Sequence, residues 1–149
     1  MRNSAKAIIV HKGRLLATRN VDAEGDWYLL PGGGQQHGEP LPDALRRECR
    51  EELGADVRVG PLRLIREYIV KNHEFAASDA DSHQIEFMFE CELAGDYEPQ
   101  NGPLPDTQQT GVAWLPIAQL ETYRLYPKAL IPLVKAGLET SVVYLGDVN

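Results

Sequence analysis

The chain contains 149 residues, of which 43% are hydrophobic and 25% charged, and it carries a formal net charge of −7. These values are ordinary for a globular protein, and the length predicts a single domain over residues 1–149 with a sizeable core. The acidic balance argues against nonspecific binding to DNA or RNA, which requires a basic surface, and no apolar run is long enough to span a membrane.

The first elements along the chain are predicted to be strands. Residues 5–11 and 14–19 have the composition of two strands joined by a hairpin, and a polar loop over 22–26 precedes a further strand at 27–30. Residues 31–34, which read Pro-Gly-Gly-Gly, should end that strand because proline and glycine interrupt the hydrogen-bonded ladder. These glycines also let the backbone turn sharply and approach a ligand closely.

Residues 41–53 are predicted to form a helix. Prolines at its entry, Asp43 in the first turn and Gly54 after the last residue are typical of helix ends. At about 100° per residue the apolar positions form one arc, which contains Ala44, Leu45, Cys49 and Leu53. Glu48 and Glu52 fall inside this arc, and Glu51 lies at its edge.

Three carboxylates near the packed side of a helix predict a cation site. Buried carboxylates repel one another and lose hydration energy unless a cation neutralises them. Mg²⁺ prefers carboxylate oxygens, water and substrate phosphate, so this helix is a candidate magnesium site. The alternative is a charged surface helix in which Arg47–Glu51 and Glu48–Glu52 merely lie at contact distance.

The second half of the chain alternates between predicted strands, a loop and helices. The strand at 84–93 has the clearest alternation, with Glu86 on the side opposite the apolar stripe. The other elements are one bent strand or two over 57–70, a loop over 95–111, a short strand at 112–115, helices at 117–122 and 127–136, and a last strand at 141–145.

The glycine segment and the acidic helix together resemble a known signature. From Gly33 to Ala55 the sequence reads GGQQHGEPLPDALRRECREELGA. Its spacing resembles the Nudix box, which marks hydrolases that cut diphosphate linkages in nucleoside diphosphates joined to another moiety. The positions that carry the resemblance are Gly33, Glu39, Arg47, Glu48, Glu51, Glu52 and Gly54. At a usage of roughly 7% per residue type, seven chance matches have a probability on the order of 10⁻⁸.

The resemblance implies an α/β fold, namely a Nudix-type α/β/α sandwich with a mixed sheet. It also implies hydrolysis that depends on Mg²⁺, with Mn²⁺ as a substitute. In that scheme Glu48 and Glu52 are the principal metal ligands, and the backbone carbonyl of Gly33 joins them. Glu51 is a further ligand or a general base. Which glutamate accepts the proton stays open, because Nudix enzymes differ and coupled carboxylates titrate together.

Arg47 is expected to orient a catalytic glutamate, a role that the resemblance implies. It lies one helical turn before Glu51 and outside the apolar arc, where its guanidinium could hold that carboxylate through a forked pair. As an exposed pair it would contribute only roughly 0–1 kcal/mol to stability. We therefore predict that Arg47 affects turnover more than the free energy of unfolding.

Three residues outside the signature are candidates for contact with the substrate. Arg19, at the end of its strand, could bind a phosphate bidentately, and His83 could meet a phosphate near neutral pH. Glu86 could supply a further ligand or base, because some Nudix enzymes draw one from outside the box. The competing interpretations, which the sequence favours, are a surface histidine for His83 and a solvated strand residue for Glu86. Aromatic residues that could either stack on a base or lie in the core are Trp27, Tyr28 and Phe75.

The expected substrate is a small-molecule nucleotide, because the chain looks most like small ADP-ribose or nucleoside-diphosphate-sugar hydrolases of this family. The alternative is a pyrophosphatase that removes oxidised nucleoside triphosphates from the nucleotide pool, and a third interpretation is a noncatalytic module that senses a nucleotide. Whether the chain forms a homodimer is left open. Cys49 and Cys91 sit in apolar patterns without metal-ligand spacing, which favours reduced thiols and a cytoplasmic location.

Overall fold

The computed structural model describes residues 1–76 and 80–149. Their strands are β1 (Arg2–His11), β2 (Arg14–Asp22), β3 (Gly25–Leu29), β4 (Gly32–Gly34), β5 (Val57–Ile69), β6 (His83–Leu93), β7 (Gln109–Pro116), β8 (Leu125–Tyr126) and β9 (Tyr144–Asp147). The helices are α1 (Leu41–Leu53) and α2 (Leu130–Lys135), and two 3₁₀ segments cover Val70–Asn72 and Ile117–Thr122. Among residues 1–76 and 80–149, no helix has the length and apolar character needed to cross a membrane.

The strands form one mixed sheet in the order β8-β3-β2-β1-β6-β5-β9. Three neighbouring pairs are parallel, β1 with β6, β3 with β8 and β5 with β9, and the remaining pairs are antiparallel. β1 and β2 pair beside their hairpin, at Val10–Leu15 and His11–Arg14. Farther along, β1 pairs with β4 and β2 pairs with β7.

Two apolar clusters cover the two faces of the sheet. On one face α1 packs through a cluster that includes Leu45, Cys49, Leu53, Ala5, Ala7, Ile9 and Phe89. On the other face α2 and the second 3₁₀ segment pack through a cluster that includes Leu130, Val134, Leu120, Ile8, Leu64 and Met88. A mixed sheet between helical layers confirms the predicted α/β class and its sandwich arrangement.

One face of the sheet changes from apolar to polar along three neighbouring strands. Side chains alternate along a strand, so each residue shares its face with the residue two positions away. The apolar residues Ile8, Leu64 and Met88 are buried in the α2-side cluster. The residues two positions from them are Lys6, Arg66 and Glu86, and these line a large cavity. The strand register therefore brings two cations and a carboxylate together at the polar end of the core.

The glycine segment and the loop before it differ from the prediction. The predicted loop at 22–26 is the end of β2 and the start of β3, joined by a tight turn. β3 ends at Leu29, before the proline and the glycines, as predicted, but Gly32–Gly34 then form a separate strand, β4, which pairs antiparallel with β1 and was not predicted. The reason is tertiary: a Cβ on Gly32 would lie 2.1 Å from the carbonyl oxygen of Ala5, so this close pairing requires glycine.

Later elements also differ from the prediction. β5 is one continuous strand with register shifts between Val59 and Leu64, so the alternative of two strands is wrong. β7 begins at Gln109, inside the predicted loop, and β8 was missed because two residues carry no periodic signal. The helix predicted at 117–122 is a 3₁₀ segment interrupted by Gln119, whose φ is −121°. α2 is shorter than the predicted 127–136, and β9 lies later than the predicted 141–145.

Candidate active site

A cavity of about 950 Å³ opens where α1, β4 and the polar ends of β1, β5 and β6 meet. On its α1 side it is lined by Glu48, Glu51 and Glu52. The strands contribute the cations Arg2, Lys6 and Arg66 together with Glu86. Aromatic side chains also line it, and these are Trp27, Tyr68, Phe75 and Tyr126. The cavity is therefore lined by carboxylates from α1, by a mostly basic group of strand residues that we call the basic side, and by aromatic rings.

The backbone of β4 lies directly against the first of these glutamates. A Cβ on Gly33 would come within 2.6 Å of the carboxyl carbon of Glu48 and within 2.8 Å of both of its oxygens. Any side chain at this position would displace the carboxylate. The absence of a side chain at Gly33 thus allows the β4 backbone and the Glu48 carboxylate to occupy the same corner of the cavity.

Glu52 is the most buried of the three glutamates on α1. It is 5% exposed, and its Oε1 accepts a hydrogen bond of 2.9 Å from the backbone N–H of Gly32. Burial raises the pKa of Glu52 to about 7, and the charge of Glu48 adds to this, whereas Lys6 and the Gly32 N–H act in the opposite direction. Without a further cation nearby, protonated and ionised Glu52 are therefore both populated near neutral pH.

Arg47 is the centre of a hydrogen-bonding network that differs from the predicted one. Its Nε and Nη2 bind the two carboxylate oxygens of Glu39, each at 2.9 Å, and Nη2 also donates to the carbonyl oxygen of Gly34 at 2.9 Å. Its Nη1 donates to Glu48 at 3.0 Å and to Glu51 at 3.3 Å. The predicted forked pair with Glu51 is therefore wrong, because Glu39 occupies the fork. Arg47 is 24% exposed, so it is also not the exposed pair that the sequence suggested.

Glu86 is buried beside a cation rather than solvated. It is 4% exposed, and its Oε2 lies 2.6 Å from Nε of Arg66. Burial alone would raise the pKa of Glu86, but the charges of Arg66 and Lys6 hold it below its usual value. The interpretation of Glu86 as a solvated strand residue is wrong, because the partner that makes burial tolerable lies on the neighbouring strand.

The aromatic wall of the cavity is formed by Trp27, Phe75 and Tyr126. The ring centroids of Trp27 and Phe75 are 5.6 Å apart, and those of Phe75 and Tyr126 are 5.2 Å apart. The indole Nε1 of Trp27 is buried without a hydrogen-bond partner among the described residues. Tyr28, the third aromatic candidate, packs in the core against Tyr123.

Comparison with known proteins assigns the chain to a family. A family model described as NUDIX domain matches residues 1–134. The chain belongs to the Nudix hydrolases. These enzymes are pyrophosphatases that act on phosphorus-containing anhydrides, and they generally need divalent metal ions.

Individual relatives agree with this assignment. The nucleoside triphosphatase NudI of Enterobacter sp. (strain 638) is 30% identical over 117 residues, which cover 76% of this chain and 78% of that protein. A Nudix hydrolase from Nitrosomonas europaea superposes with a TM-score of 0.73 at 18% identity, over 97% of this chain and 93% of that one. An ADP-ribose pyrophosphatase from Streptococcus suis 89-1591 superposes with a TM-score of 0.65 at 17% identity, over 98% of each chain. These two structures share the fold.

The donor groups of this Nudix site fit a hard divalent cation. Glu48, Glu51 and Glu52 each accept hydrogen bonds through one carboxylate oxygen, and among the described residues the other oxygen has no hydrogen-bond donor. Within residues 1–76 and 80–149, no three His, Cys, Asp or Glu side chains converge closely enough to hold a metal ion. Because the ligand types are suitable but separated, binding a cation would require these side chains to rotate towards it.

Two of the predicted substrate residues lie outside the cavity lining. The guanidinium of Arg19 lies over Gly111, where a Cβ would meet Nη2 at 2.6 Å. Nε2 of His83 lies 3.0 Å from Oε1 of Glu67. The structure thus brings Glu86, but neither Arg19 nor His83, to the same cavity as the glutamates of α1.

Sequence reasoning missed the basic side of the cavity. Lys6 donates to the carbonyl oxygens of Leu30 and Gly32, at 3.4 and 3.2 Å, and so links β1 to the glycine segment. Arg2 extends across Gly34, where a Cβ would meet its Nε at 2.6 Å. A usable signal was present: Lys6 interrupts an otherwise apolar strand between Ala5 and Ala7, which indicates a polar environment on that face.

Proposed function

We propose that this Nudix hydrolase uses Mg²⁺, or Mn²⁺ in its place, to cleave a diphosphate linkage in a nucleoside diphosphate joined to another moiety. ADP-ribose and nucleoside-diphosphate sugars are the leading candidate substrates. The observation that carries this proposal is that one cavity is lined by carboxylates from α1, by cations from β1 and β5, and by an aromatic wall. A metal-bound diphosphate suits the charged sides, and a nucleotide base suits the aromatic wall.

The glutamates of α1 have distinct proposed roles. Glu48 and Glu52 would be the principal metal ligands with the carbonyl of Gly33, and Glu51 would be a further ligand or, like Glu52, a candidate proton acceptor. When bound, the metal supplies an activated water and offsets negative charge on the phosphate oxygens. Arg47 would keep Glu48 and Glu51 in position, because its fork on Glu39 leaves Nη1 pointing at both carboxylates.

The basic side would receive the negative charge of the substrate. Arg2 lines the cavity and forms no ion pair within the described residues, so its guanidinium is available for phosphate. Arg66 is already paired with Glu86, and Lys6 is bonded to two carbonyl groups. We therefore assign the direct phosphate contact to Arg2 and a supporting role to the buried Arg66–Glu86 pair.

The size of the cavity suits a substrate that consists of a nucleoside diphosphate and an attached sugar. Its volume of about 950 Å³ is near the upper end of the roughly 300–1,000 Å³ that is usual for small-molecule sites. A nucleoside diphosphate that carries a sugar would extend from the aromatic wall across the glutamates to the basic side. A cavity of this volume has room for ADP-ribose or a nucleoside-diphosphate sugar.

A nucleoside triphosphate, normal or oxidised, is the second candidate substrate. The observation that favours it is the 30% identity to a relative named nucleoside triphosphatase. In this alternative the basic side would bind the terminal phosphates rather than a sugar phosphate. The aromatic wall and the glutamates would keep the same roles.

A substrate panel with product analysis tests the proposal. ADP-ribose, nucleoside-diphosphate sugars and normal and oxidised nucleoside triphosphates would be incubated with Mg²⁺ and with Mn²⁺, and the products resolved by chromatography. We expect ADP-ribose to yield AMP and ribose 5-phosphate; preferential release of pyrophosphate from triphosphates would instead establish the second candidate. The Glu52→Gln protein, purified in parallel, controls for contaminating hydrolases. Wild-type protein that hydrolyses nothing in the panel would contradict a catalytic role on these substrates.

We also propose a cytoplasmic location for this enzyme. Both cysteines are free and buried, as the sequence predicted, which suits a reducing compartment. Localisation of the tagged full chain by cell fractionation tests this point.

A further inference from the structure

The last strand reaches the cavity from a part of the chain beyond the matched family domain. The Nudix domain model ends at residue 134, whereas β9 covers Tyr144–Asp147 and pairs parallel with β5. We call residues 144–149 the β9 segment. Its residue Asn149 lines the cavity. A segment beyond the residues that the family model matches therefore contributes to the site.

Asp147 binds the stretch of chain that follows β5. Its Oδ1 accepts hydrogen bonds from the backbone N–H of Ile69 at 2.9 Å and lies 2.7 Å from Nε2 of His73. Its Oδ2 accepts from Nδ2 of Asn72 at 2.8 Å. Burial opposes ionisation, but these contacts together hold the pKa of Asp147 down at about 2. One carboxylate thus ties three residues of this turn to β9.

Asn149 adds a second attachment one residue farther along the turn. Its Nδ2 donates to Oε1 of Glu74 at 2.9 Å, and its Oδ1 accepts from Nη1 of Arg66 at 3.1 Å. The other oxygen of Glu74 accepts from Nζ of Lys128 at 3.1 Å. The β9 segment thus contacts residues 69–74 from Ile69 to Glu74, and Glu74 is held in addition by Lys128.

The residue that follows this fixed stretch is Phe75. Its ring contacts both Trp27 and Tyr126 in the aromatic wall, with centroid distances of 5.6 and 5.2 Å, and those two rings lie 6.2 Å from each other. The ring of His73 also stacks on Tyr68, another residue of the cavity lining, at 5.5 Å. Because residues 69–74 precede Phe75 directly, their attachment to β9 limits where its ring can lie.

We propose that Asp147 and Asn149 are positioning residues for nucleotide binding, because they hold residues 69–74 so that Phe75 completes the aromatic wall against Trp27. This rests on the proposed function of the cavity as the nucleotide site. The proposed role of the wall is to contact the base rather than the diphosphate, so we expect the β9 segment to act on binding of the base rather than on the chemical step. Interactions that are equal in the ground and transition states change KM and leave kcat unchanged.

Kinetics of Asp147→Ala test this proposal. We expect KM for the best substrate of the panel to rise roughly fivefold to a hundredfold, which is the range for loss of one base–aromatic stack, while kcat stays within about twofold. Asp147→Asn retains one acceptor oxygen, so its KM should lie between those of the wild type and Asp147→Ala. An unchanged KM in folded Asp147→Ala, or a loss confined to kcat, would overturn the proposal.

Tyr144→Phe is the matched control on the same strand. Its hydroxyl donates to Glu67, which lies outside residues 69–74. We expect this variant to keep the wild-type KM, and an increase equal to that of Asp147→Ala would mean that any disturbance of β9 has the same effect. In a double-mutant cycle, Asp147→Ala should add little to Phe75→Ala, since both act through the same ring. Fully additive effects would contradict action through Phe75.

Tryptophan fluorescence tests the positioning role without an activity assay. The chain has two tryptophans, so Trp114→Phe leaves Trp27 as the sole indole. In that background Asp147→Ala should shift the emission of Trp27 and increase its quenching by iodide, because Phe75 no longer covers it. Titration with ADP, with and without Mg²⁺, should give weaker binding in the Asp147→Ala protein. If the wild type lacks activity but Asp147→Ala changes the Trp27 emission, the proposed function fails and the positioning role stands. Unchanged Trp27 emission in Asp147→Ala would refute the positioning role itself.

Discussion

The guanidinium of Arg47 holds the carboxylate of Glu39 through two parallel hydrogen bonds of 2.9 Å, Nε to Oε2 and Nη2 to Oε1. Glu39 precedes α1, so this pair ties the entry of the helix to its second turn. The remaining nitrogen, Nη1, contacts both Glu48 and Glu51. Arg47 therefore joins the structural support of the helix to the orientation of the proposed metal ligands.

Arg47→Lys is expected to lower both turnover and thermal stability. A lysine has one ammonium group and cannot bind Glu39, Gly34 and the two glutamates of α1 together. We predict a loss of turnover of about tenfold or more, which is a barrier change of roughly 1.4 kcal/mol, and a decrease of several degrees in Tm. Steady-state kinetics and thermal unfolding measure the two effects. Full turnover in the lysine variant would exclude Arg47 as an orienting residue.

Glu39→Gln is the companion variant that separates the structural role of Arg47 from its role in orienting Glu48 and Glu51. It removes the charged fork but leaves Arg47 beside Glu48 and Glu51, so Tm should fall while turnover falls less than in Arg47→Lys.

The hydrogen bonds from Arg47 hold the pKa of Glu39 at about 2, below the ordinary value of 4.5. The stability that Glu39 contributes is therefore present above pH 4.5 and is lost as the pH falls towards 2. The difference in Tm between wild type and Glu39→Gln should shrink over that interval.

Removal of divalent cations should abolish activity. Glu48, Glu51 and Glu52 line one side of the cavity, and their repulsion favours an occupied cation site. We expect EDTA to eliminate hydrolysis of the best substrate and added Mg²⁺ or Mn²⁺ to restore it. Isothermal titration with Mg²⁺ gives a readout independent of turnover. Sustained hydrolysis in metal-free buffer would contradict the proposed mechanism.

Glu52→Gln should separate activity from folding. The variant keeps the size of the side chain and an oxygen that can accept from Gly32, but it removes a charge from the proposed ligand set. We predict that turnover falls by a factor of roughly a hundred or more, in the range of a lost electrostatic group at a reacting centre. Near-wild-type turnover would mean that Glu52 is not a ligand or base.

The same variant should change how metal-free stability depends on pH. The pKa of Glu52 rises from 4.5 to about 7 on folding, so the folded state binds this proton more tightly than the unfolded state. Wild-type stability should consequently fall as the pH rises from 4.5 to about 7 and should level off above it. Glu52→Gln should be more stable above pH 7, by at most roughly 3 kcal/mol at 1.36 kcal/mol per pKa unit. Urea unfolding in EDTA across this pH range measures the difference.

Gly34→Ala should displace Arg2 without removing its charge. The new Cβ would lie 2.6 Å from Nε of Arg2, and this flexible side chain can move away while β4 keeps its pairing. We predict that Gly34→Ala and Arg2→Ala both raise KM about tenfold, with little change in Tm. A tenfold increase corresponds to the loss of one charged hydrogen bond to the substrate. Arg19→Ala is the matched arginine control, because Arg19 lies outside the cavity lining. If Arg19→Ala alone raises KM, the phosphate contact belongs to Arg19.

Local features of the sequence were sufficient to predict the helix that carries the acidic residues of the site. The limits of α1 agree with its predicted limits because proline at its entry, glycine at its end and the spacing of Leu45, Cys49 and Leu53 are all local signals. The same spacing predicts that Glu48 and Glu52 lie near the packed side, and the structure places them beside the cavity. Helical periodicity alone thus brought these carboxylates together.

Tertiary pairing alone decided the rest of the site. Glu86 is buried because strand register places Arg66 beside it, and Asp147 faces His73 because β9 pairs with β5. No local pattern encodes either partner, since the cost of burying a charge depends on groups that are distant in sequence. The glycines of β4 form a strand for the same reason, because the close approach of β1 gives them hydrogen-bonding partners that their own propensity does not predict.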